Sequence, residues 1–402
     1  MGLDNHRPVL EPHRVTLRLF LLMVARGSTF GALSPYVTVL AIRAGLPVAL
    51  VGPLSAASAI ITLIMAQAWG GFGDRLGRRR VLVVAYLVGA SAAASLAVGM
   101  LPVFLVGYVV WSIASSAYIP LVDSISLARL GGSRSRFARV RAGATSGWIV
   151  TTIAVGAAIS LTGAGWAAPG AVAAVLAVIT AGSVAFRLGR SELRTGTGVA
   201  AGAPGGLWSG VRAQVRRQGL FLGGLVIVFG GANAPGIFTG PRVAELGGSG
   251  WEIGLATAAS SISELPAYVL LPLMLTRLGG RRLFLLGGCL LGLSGLLSAV
   301  APNPTLVIVA RLLFGAGFAW VVVPSLGAIA GAAAPSRQAA ATSLHFATSA
   351  AGSLVVAIAG LPLVGLTGSV SLVLAVAAIG TPVGALVAAQ AWPVREMRTG
   401  RA

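Results

Sequence analysis

Glu264 is the one acidic residue of this chain that falls deep inside a long apolar run. A carboxyl group in such surroundings takes up or releases a proton as its contacts change, so the chemistry it suggests is proton coupling. His345, in another apolar run, is a side chain that titrates near neutral pH and is the second proton-coupling candidate. Arg26 and Arg311 also lie within apolar runs, where a guanidinium recognises anions or hydroxyl groups. A charge inside a membrane span costs roughly 2.5 to 3.5 kcal/mol even on the lenient insertion scale, so each should face a partner or a cavity. Counted along their helices, Arg26 and Glu264 sit about 13 Å and about 16 Å from the same side of the membrane, which makes a pair between them possible. Asp123, near the end of its run, is expected to hold a neighbouring arginine, Arg78 or Arg139, and so to belong to a gate.

These residues need long apolar elements to carry them, and the composition supplies them. Of 402 residues, 56% are hydrophobic and 9% charged, with a mean hydropathy of +0.91, whereas a soluble domain carries about 25% charged residues. An ordinary soluble protein is excluded. Twenty-nine basic residues stand against nine acidic ones. All the basic residues are arginine, which removes both a lysine-containing phosphate loop and a lysine Schiff base. The single cysteine, Cys289, permits no intramolecular disulfide.

Runs of roughly 20 apolar residues mark membrane-crossing helices. Twelve are expected, at about 17–40, 49–72, 81–101, 103–126, 142–162, 167–186, 219–240, 252–275, 283–301, 305–330, 339–361 and 369–392. The glycine-rich stretch from Arg187 to Gln218 reads as a linker between two six-helix halves, 1–186 and 219–402. With the N-terminus inside, 25 arginines fall in loops or tails on one side, and only Arg43 and Arg242 in loops on the other. Positive residues accumulate on the cytoplasmic side, so both termini and the linker are expected there, and the basic excess needs no nucleic acid to explain it. An internal repeat supports two halves. Val51 to Ile60 recurs as Ile253 to Ile262, and Arg75-Leu76-Gly77 as Arg277-Leu278-Gly279, both displaced by 202 positions. An even number of spans gives the second copy the orientation of the first, a parallel repeat about an axis along the membrane normal.

Between the second and third spans the chain reads Gly70-Gly71-Phe72-Gly73-Asp74-Arg75-Leu76-Gly77-Arg78-Arg79-Arg80. This resembles the loop signature of the major facilitator superfamily, G-x-x-x-D-R-x-G-R-R. The resemblance implies an all-α integral membrane protein with twelve transmembrane helices in two six-helix pseudo-repeats. It also implies a gating role for Gly70, Asp74, Arg75, Gly77, Arg78 and Arg79, with Asp123 beside them. Gly77 permits a tight turn, and Asp74 can hold an arginine or a helix N-terminus in one of two transporter states. In that superfamily helices 1, 4, 7 and 10 border the central cavity, and 2, 5, 8 and 11 contribute. On that basis Trp111, Trp148 and Trp320 become stacking surfaces for a sugar ring or an aromatic group, beside Arg26 and Arg311 as substrate-binding residues.

More narrowly, Ser263-Glu264-Leu265-Pro266, the run Arg277 to Arg282, and Arg141-Ala142 ahead of Ser146 and Trp148 resemble bacterial sugar efflux transporters. Together with Pro120 to Asp123 they are also similar to proton symporters for phenylpropionate and nucleosides. The expectation is a secondary active transporter of the cell inner or plasma membrane, acting as a monomer. It would export a sugar-like or drug-like compound in exchange for protons. The alternatives are proton-coupled uptake of a sugar, nucleoside or aromatic acid, and a non-transporting receptor on a transporter fold. The chain has no metal-spaced cluster of His or Cys and no G-x-S-x-G elbow, so neither enzyme chemistry, a cofactor nor a metal is expected. Its partners are a small-molecule substrate and the lipid bilayer.

Overall fold

The computed structural model describes residues 12–130, 134–161, 165–187, 204–332 and 338–393. The surroundings of Gly70 and the side chain of Asp74 lie outside the described residues, as do 188–203 of the expected linker. Every regular element among the described residues is helical. In chain order they are α1 Pro12–Leu33, α2 Val37–Arg43, α3 Val51–Leu76, α4 Arg78–Leu96, α5 Leu101–Ser115, α6 Tyr118–Arg129 and α7 Arg134–Leu161. They continue as α8 Ala168–Arg187, α9 Pro204–Glu245, α10 Gly250–Val300, α11 Pro304–Ala332, α12 Gln338–Thr367 and α13 Ser371–Gln390. Helices dominate because a backbone within hydrocarbon must satisfy its own polar groups.

Ten stretches among the described residues are long and apolar enough to cross a membrane, two fewer than the twelve expected. The difference has two sources. Gly250–Val300 counts once, although it contains two helices broken at Gly279, where φ is 75°. Both pack on the same part of α11: the indole nitrogen of Trp320 reaches the Ala267 carbonyl, and Gly287 lies against the Trp320 backbone. The two therefore run side by side as a hairpin. Val51–Leu76 is not among the ten, although its first part, Val48–Thr62, is apolar.

Two expected spans are each made of two short helices, for a reason visible in their prolines. A proline ring clashes with the carbonyl four residues earlier. Ahead of Pro120 that carbonyl belongs to Ser116, and the chain turns at Ser116–Ala117 between α5 and α6. Pro35 lies in the turn between α1 and α2. Pro235 lies in α9 beyond the break at Gln218, where φ is −128°, and Pro324 lies inside α11.

Helix contacts within the first half use small residues, which let backbones approach closely. Gly27 and Gly31 of α1 lie against the backbone of Ala144 and Trp148, and Gly143 and Gly147 of α7 against that of Phe20 and Val24. Between helices α1–α8 and helices α9–α13 the close approaches gather at the end of the bundle that holds Arg43 and Arg242. There Gly52 of α3 meets the Ala357 backbone of α12, and Gly254 of α10 meets the Thr152 carbonyl of α7. The Tyr36 hydroxyl donates to that same Thr152 carbonyl, and the Trp251 amide donates to the Ser160 hydroxyl at 3.0 Å. The two arginines of this end are used locally: Arg43 lies 4.4 Å from the centre of the Trp166 ring, and Arg242 donates to the carbonyls of Ser298, Ala299 and Ala301.

A charged seam as the candidate functional site

Arg26 sits two-thirds of the way along α1 with 6% of its surface exposed. Its guanidinium donates to the Asp123 carboxylate of α6 and not to Glu264, the partner that depth along the helices had left possible. Among the described residues Arg141, one of the arginines neighbouring Asp123, is the second cation at that carboxylate. Arg141 approaches the other carboxylate oxygen at 3.8 Å with its side chain 59% exposed. Its position follows from where α7 begins. The sequence reads Arg141 as the last loop residue before a span at 142, but the helix starts at Arg134 and carries Arg141 two turns up, beside Asp123.

α7 and α10 run antiparallel across the boundary between the halves. Gly250 lies against Ile159, and Gly254 against Gly156 and Thr152. With equal rise in both helices, the same register brings Trp148 level with Ser261, Thr145 level with Glu264 and Arg141 level with Tyr268. Tyr268, level with Arg141 in this register, donates to the Glu264 carboxylate at 2.8 Å. A sequence of polar groups thus runs from α1 and α6 through α7 to α10: Arg26, Asp123, Arg141, Tyr268, Glu264. Beside Arg26 stands an aromatic cluster in which Tyr86 stacks on Tyr118 at 3.9 Å, while Phe30 and Trp111 meet Tyr118 edge-on. The buried Tyr86 hydroxyl has no hydrogen-bond partner among the described residues.

The other expected site residues divide between this seam and places away from it. Trp148 is half-buried on α7, level with the seam. Trp111 is buried within the aromatic cluster, and Trp320 is half-buried on α11 with its nitrogen turned to α10. Arg311 on α11 donates to the Ser260 hydroxyl of α10 at 3.2 Å, one helical turn from Glu264. His345 lies elsewhere in the second half. It is buried, with Nε2 2.9 Å from the Ser325 hydroxyl and its ring edge-on to Phe229 at 5.1 Å. In the motif loop Gly77 closes α3 with a φ of 91°, a conformation that glycine tolerates. Arg75 is exposed, Arg78 is half-buried, and Arg79 donates to the Val184 carbonyl of α8 at 3.3 Å.

Sequence reasoning passed over Tyr268, Tyr86 and Ser260, and noted Arg141 only within the resemblance, without a site role. Tyr268 carried a usable signal, since a residue four positions after Glu264 shares its helix face. Tyr86 and Ser260 carried none, because only packing decides what they touch.

The comparisons with known proteins agree with one another. Residues 16–360 match the model of the MFS_1 like family. Over 340 residues the chain is 28% identical to a maltose permease of Geobacillus stearothermophilus, covering 82% of this chain and 81% of that protein. In fold it is similar to the crystal structure of the nucleoside transporter NupG, with a TM-score of 0.78 at 16% identity over 95% of this chain and 100% of that one. A similar likeness holds for an auto-inhibited POT family peptide transporter, with a TM-score of 0.74 at 14% identity over 97% and 99% of the two chains.

Proposed function

The chain belongs to the MFS_1 like family, and from that premise we propose that it is a secondary transporter moving a small organic solute by alternating access between two six-helix halves. The observation that carries this reading is the charged seam. Its ion pair lies in the first half and its carboxyl acceptor in the second, with Arg141 between them. A rocking motion of one half against the other would remake those contacts, and that is how a proton site and a solute site come to share one movement.

The division into halves is supported by backbone details repeated at the sequence offset of 202. Leu46 donates to the Ala41 carbonyl at 2.9 Å, and Gly248 to the Val243 carbonyl at 2.8 Å. The glycines before them, Gly45 and Gly247, both take positive φ, as do Gly77 and Gly279. Gly52 and Gly254, the repeat-related glycines, both make close contacts between the halves. We count twelve spans by taking Gly250–Val300 as two and Val51–Leu76 as one. Halves 1–186 and 219–402, both termini in the cytoplasm and a gate at the Asp74 motif remain part of this reading, supported by the distribution of arginines in the sequence.

In this conformation the glycine contacts close the arginine-poor end, so we read the seam as open towards the cytoplasm. Glu264 serves as the proton acceptor, and Arg26, Asp123 and Arg141 meet polar groups of the solute. Uptake is the direction we favour over the export expected from the sequence, because the protein similar over four-fifths of both chains is a permease. The test is solute flux in right-side-out and everted vesicles, with sugars, nucleosides and aromatic acids as probes and a pH gradient imposed. Accumulation in right-side-out vesicles with the gradient acid outside is expected. Accumulation only in everted vesicles would reverse the direction, and no flux of any probe would favour a receptor.

A further inference from the structure

Arg311 is buried to within 5% of full enclosure on α11, inside a membrane-crossing stretch. Its only hydrogen bond among the described residues runs from Nη2 to the Ser260 hydroxyl at 3.2 Å. Nε and Nη1 are enclosed and meet no acceptor there. The Phe314 ring lies 3.9 Å from the guanidinium carbon, a face contact that offsets part of the charge but accepts no N–H. The acidic side chains among the described residues are engaged elsewhere: Asp123 with Arg26, Glu245 with Arg242, Glu252 with the Ser249 cap, and Glu264 with Tyr268. A buried guanidinium without a counter-ion is costly in a membrane, and one that persists marks a place where an anion arrives from outside the chain.

We propose that Arg311 and Ser260 form an anion subsite for the carboxylate of the transported solute, which makes the substrate a small organic acid. This rests on the transporter reading and narrows it. The position suits a carboxylate because Ser260 and Glu264 stand one turn apart on α10, with α11 packed on that same stretch through Gly315. A solute whose carboxylate meets Arg311 extends its body along α10 towards Glu264 and Tyr268, so the anion subsite and the α10 end of the seam are engaged by one molecule. The enclosure of Arg311 in this conformation makes the subsite accessible only after α10 and α11 shift, which couples recognition of the acid to the change of state.

The test uses the purified full chain in detergent, in chloride-free buffer. Thermal stability and tryptophan fluorescence are read with 3-phenylpropionate and galacturonate, their uncharged counterparts 3-phenylpropionamide and galactose, and sodium chloride. At least one acid is expected to bind and raise the melting temperature, with its uncharged counterpart at least tenfold weaker. Arg311→Gln should weaken the acid at least tenfold while leaving the ligand-free protein as stable as wild type or more so, because it removes an uncompensated charge. Arg311→Lys, which keeps the charge but loses the planar donor set, should fall between. The proposal is overturned by equal binding of acid and uncharged counterpart, by no binding of either acid, or by full stabilisation with chloride alone. A ligand-free Arg311→Gln protein that melts earlier and binds the acid unchanged overturns it too. Flux in proteoliposomes separates the two readings: a neutral sugar carried equally by wild type and Arg311→Gln would keep the transporter and discard the subsite, whereas acid binding with no flux would do the reverse.

Discussion

Arg26 and Asp123 stand 97 residues apart in the chain and form an ion pair inside the first half, with side chains 7% and 22% exposed. The pair joins α1 to α6, helices that each meet a proline-associated turn, and it leaves the second carboxylate oxygen free for Arg141. One acid therefore answers to a buried arginine of its own half and to an exposed one at the boundary with the other.

Removing one member of such a pair strands the other. We predict that Asp123→Asn destabilises the protein by about 3 to 5 kcal/mol, the usual cost of leaving a buried charge without its partner. Combining it with Arg26→Gln should recover most of that loss. Denaturation of the two single variants and the double variant measures the coupling, and strict additivity of the single effects would show that the two residues act independently.

Glu264 accepts from Tyr268 and is the only carboxylate on the second half's side of the seam among the described residues. Gln at this position keeps the shape and most of the hydrogen bonding but cannot ionise. Accumulation driven by a pH gradient should be lost in Glu264→Gln, while exchange between compartments of equal pH persists. A variant that still concentrates solute against its gradient would move the proton site elsewhere, with His345 and Asp123 next in order.

Asp74→Asn should lower transport severalfold with membrane insertion and expression near wild type. The sequence places Asp74 in a loop, whereas it stands in the last turn of α3; its loss should remove a charge-assisted contact of about 1.5 to 3 kcal/mol made in one access state. Equal flux in a correctly inserted variant would reduce the motif to a topology signal.

A side chain at Gly254 has no room while the halves are closed at the arginine-poor end. A Cβ there would lie 2.7 Å from the Tyr36 hydroxyl and 2.8 Å from the Thr152 carbonyl. Gly254→Val should therefore shift the population towards the opposite access state and slow transport. Cysteines introduced at Ser160 and Trp251 would report it, since their labelling from the outer side should rise; unchanged labelling would mean that the contact does not gate.

Reporter fusions at Gly202 and Gly400 should both report the cytoplasm, because 25 of the 27 loop and tail arginines lie on one side of the expected topology. An external signal from either would break the two-half arrangement.

Much of this architecture was legible in the residues alone. Apolar runs long enough to cross a bilayer located the helices, because hydrocarbon forces each segment to satisfy its own backbone. Gly77 announced a sharp turn and takes positive φ, as does its repeat partner Gly279, a requirement local enough to be written in one residue. The site was only half legible. Glu264, Arg26, Arg311 and Asp123 stood out because each is a charge in a place where charge is expensive. Their partners did not: Arg26 was matched in depth to Glu264 and is held instead by Asp123, while Arg141 was read as a loop residue. Depth along a helix can be counted from the sequence, but the direction in which a side chain leaves the helix, and which neighbour stands there, depends on how every helix is rotated against the others. That rotation is set by the summed packing of small residues at many crossings, so the tertiary structure alone decided which charges meet and left Arg311 enclosed without a counter-ion.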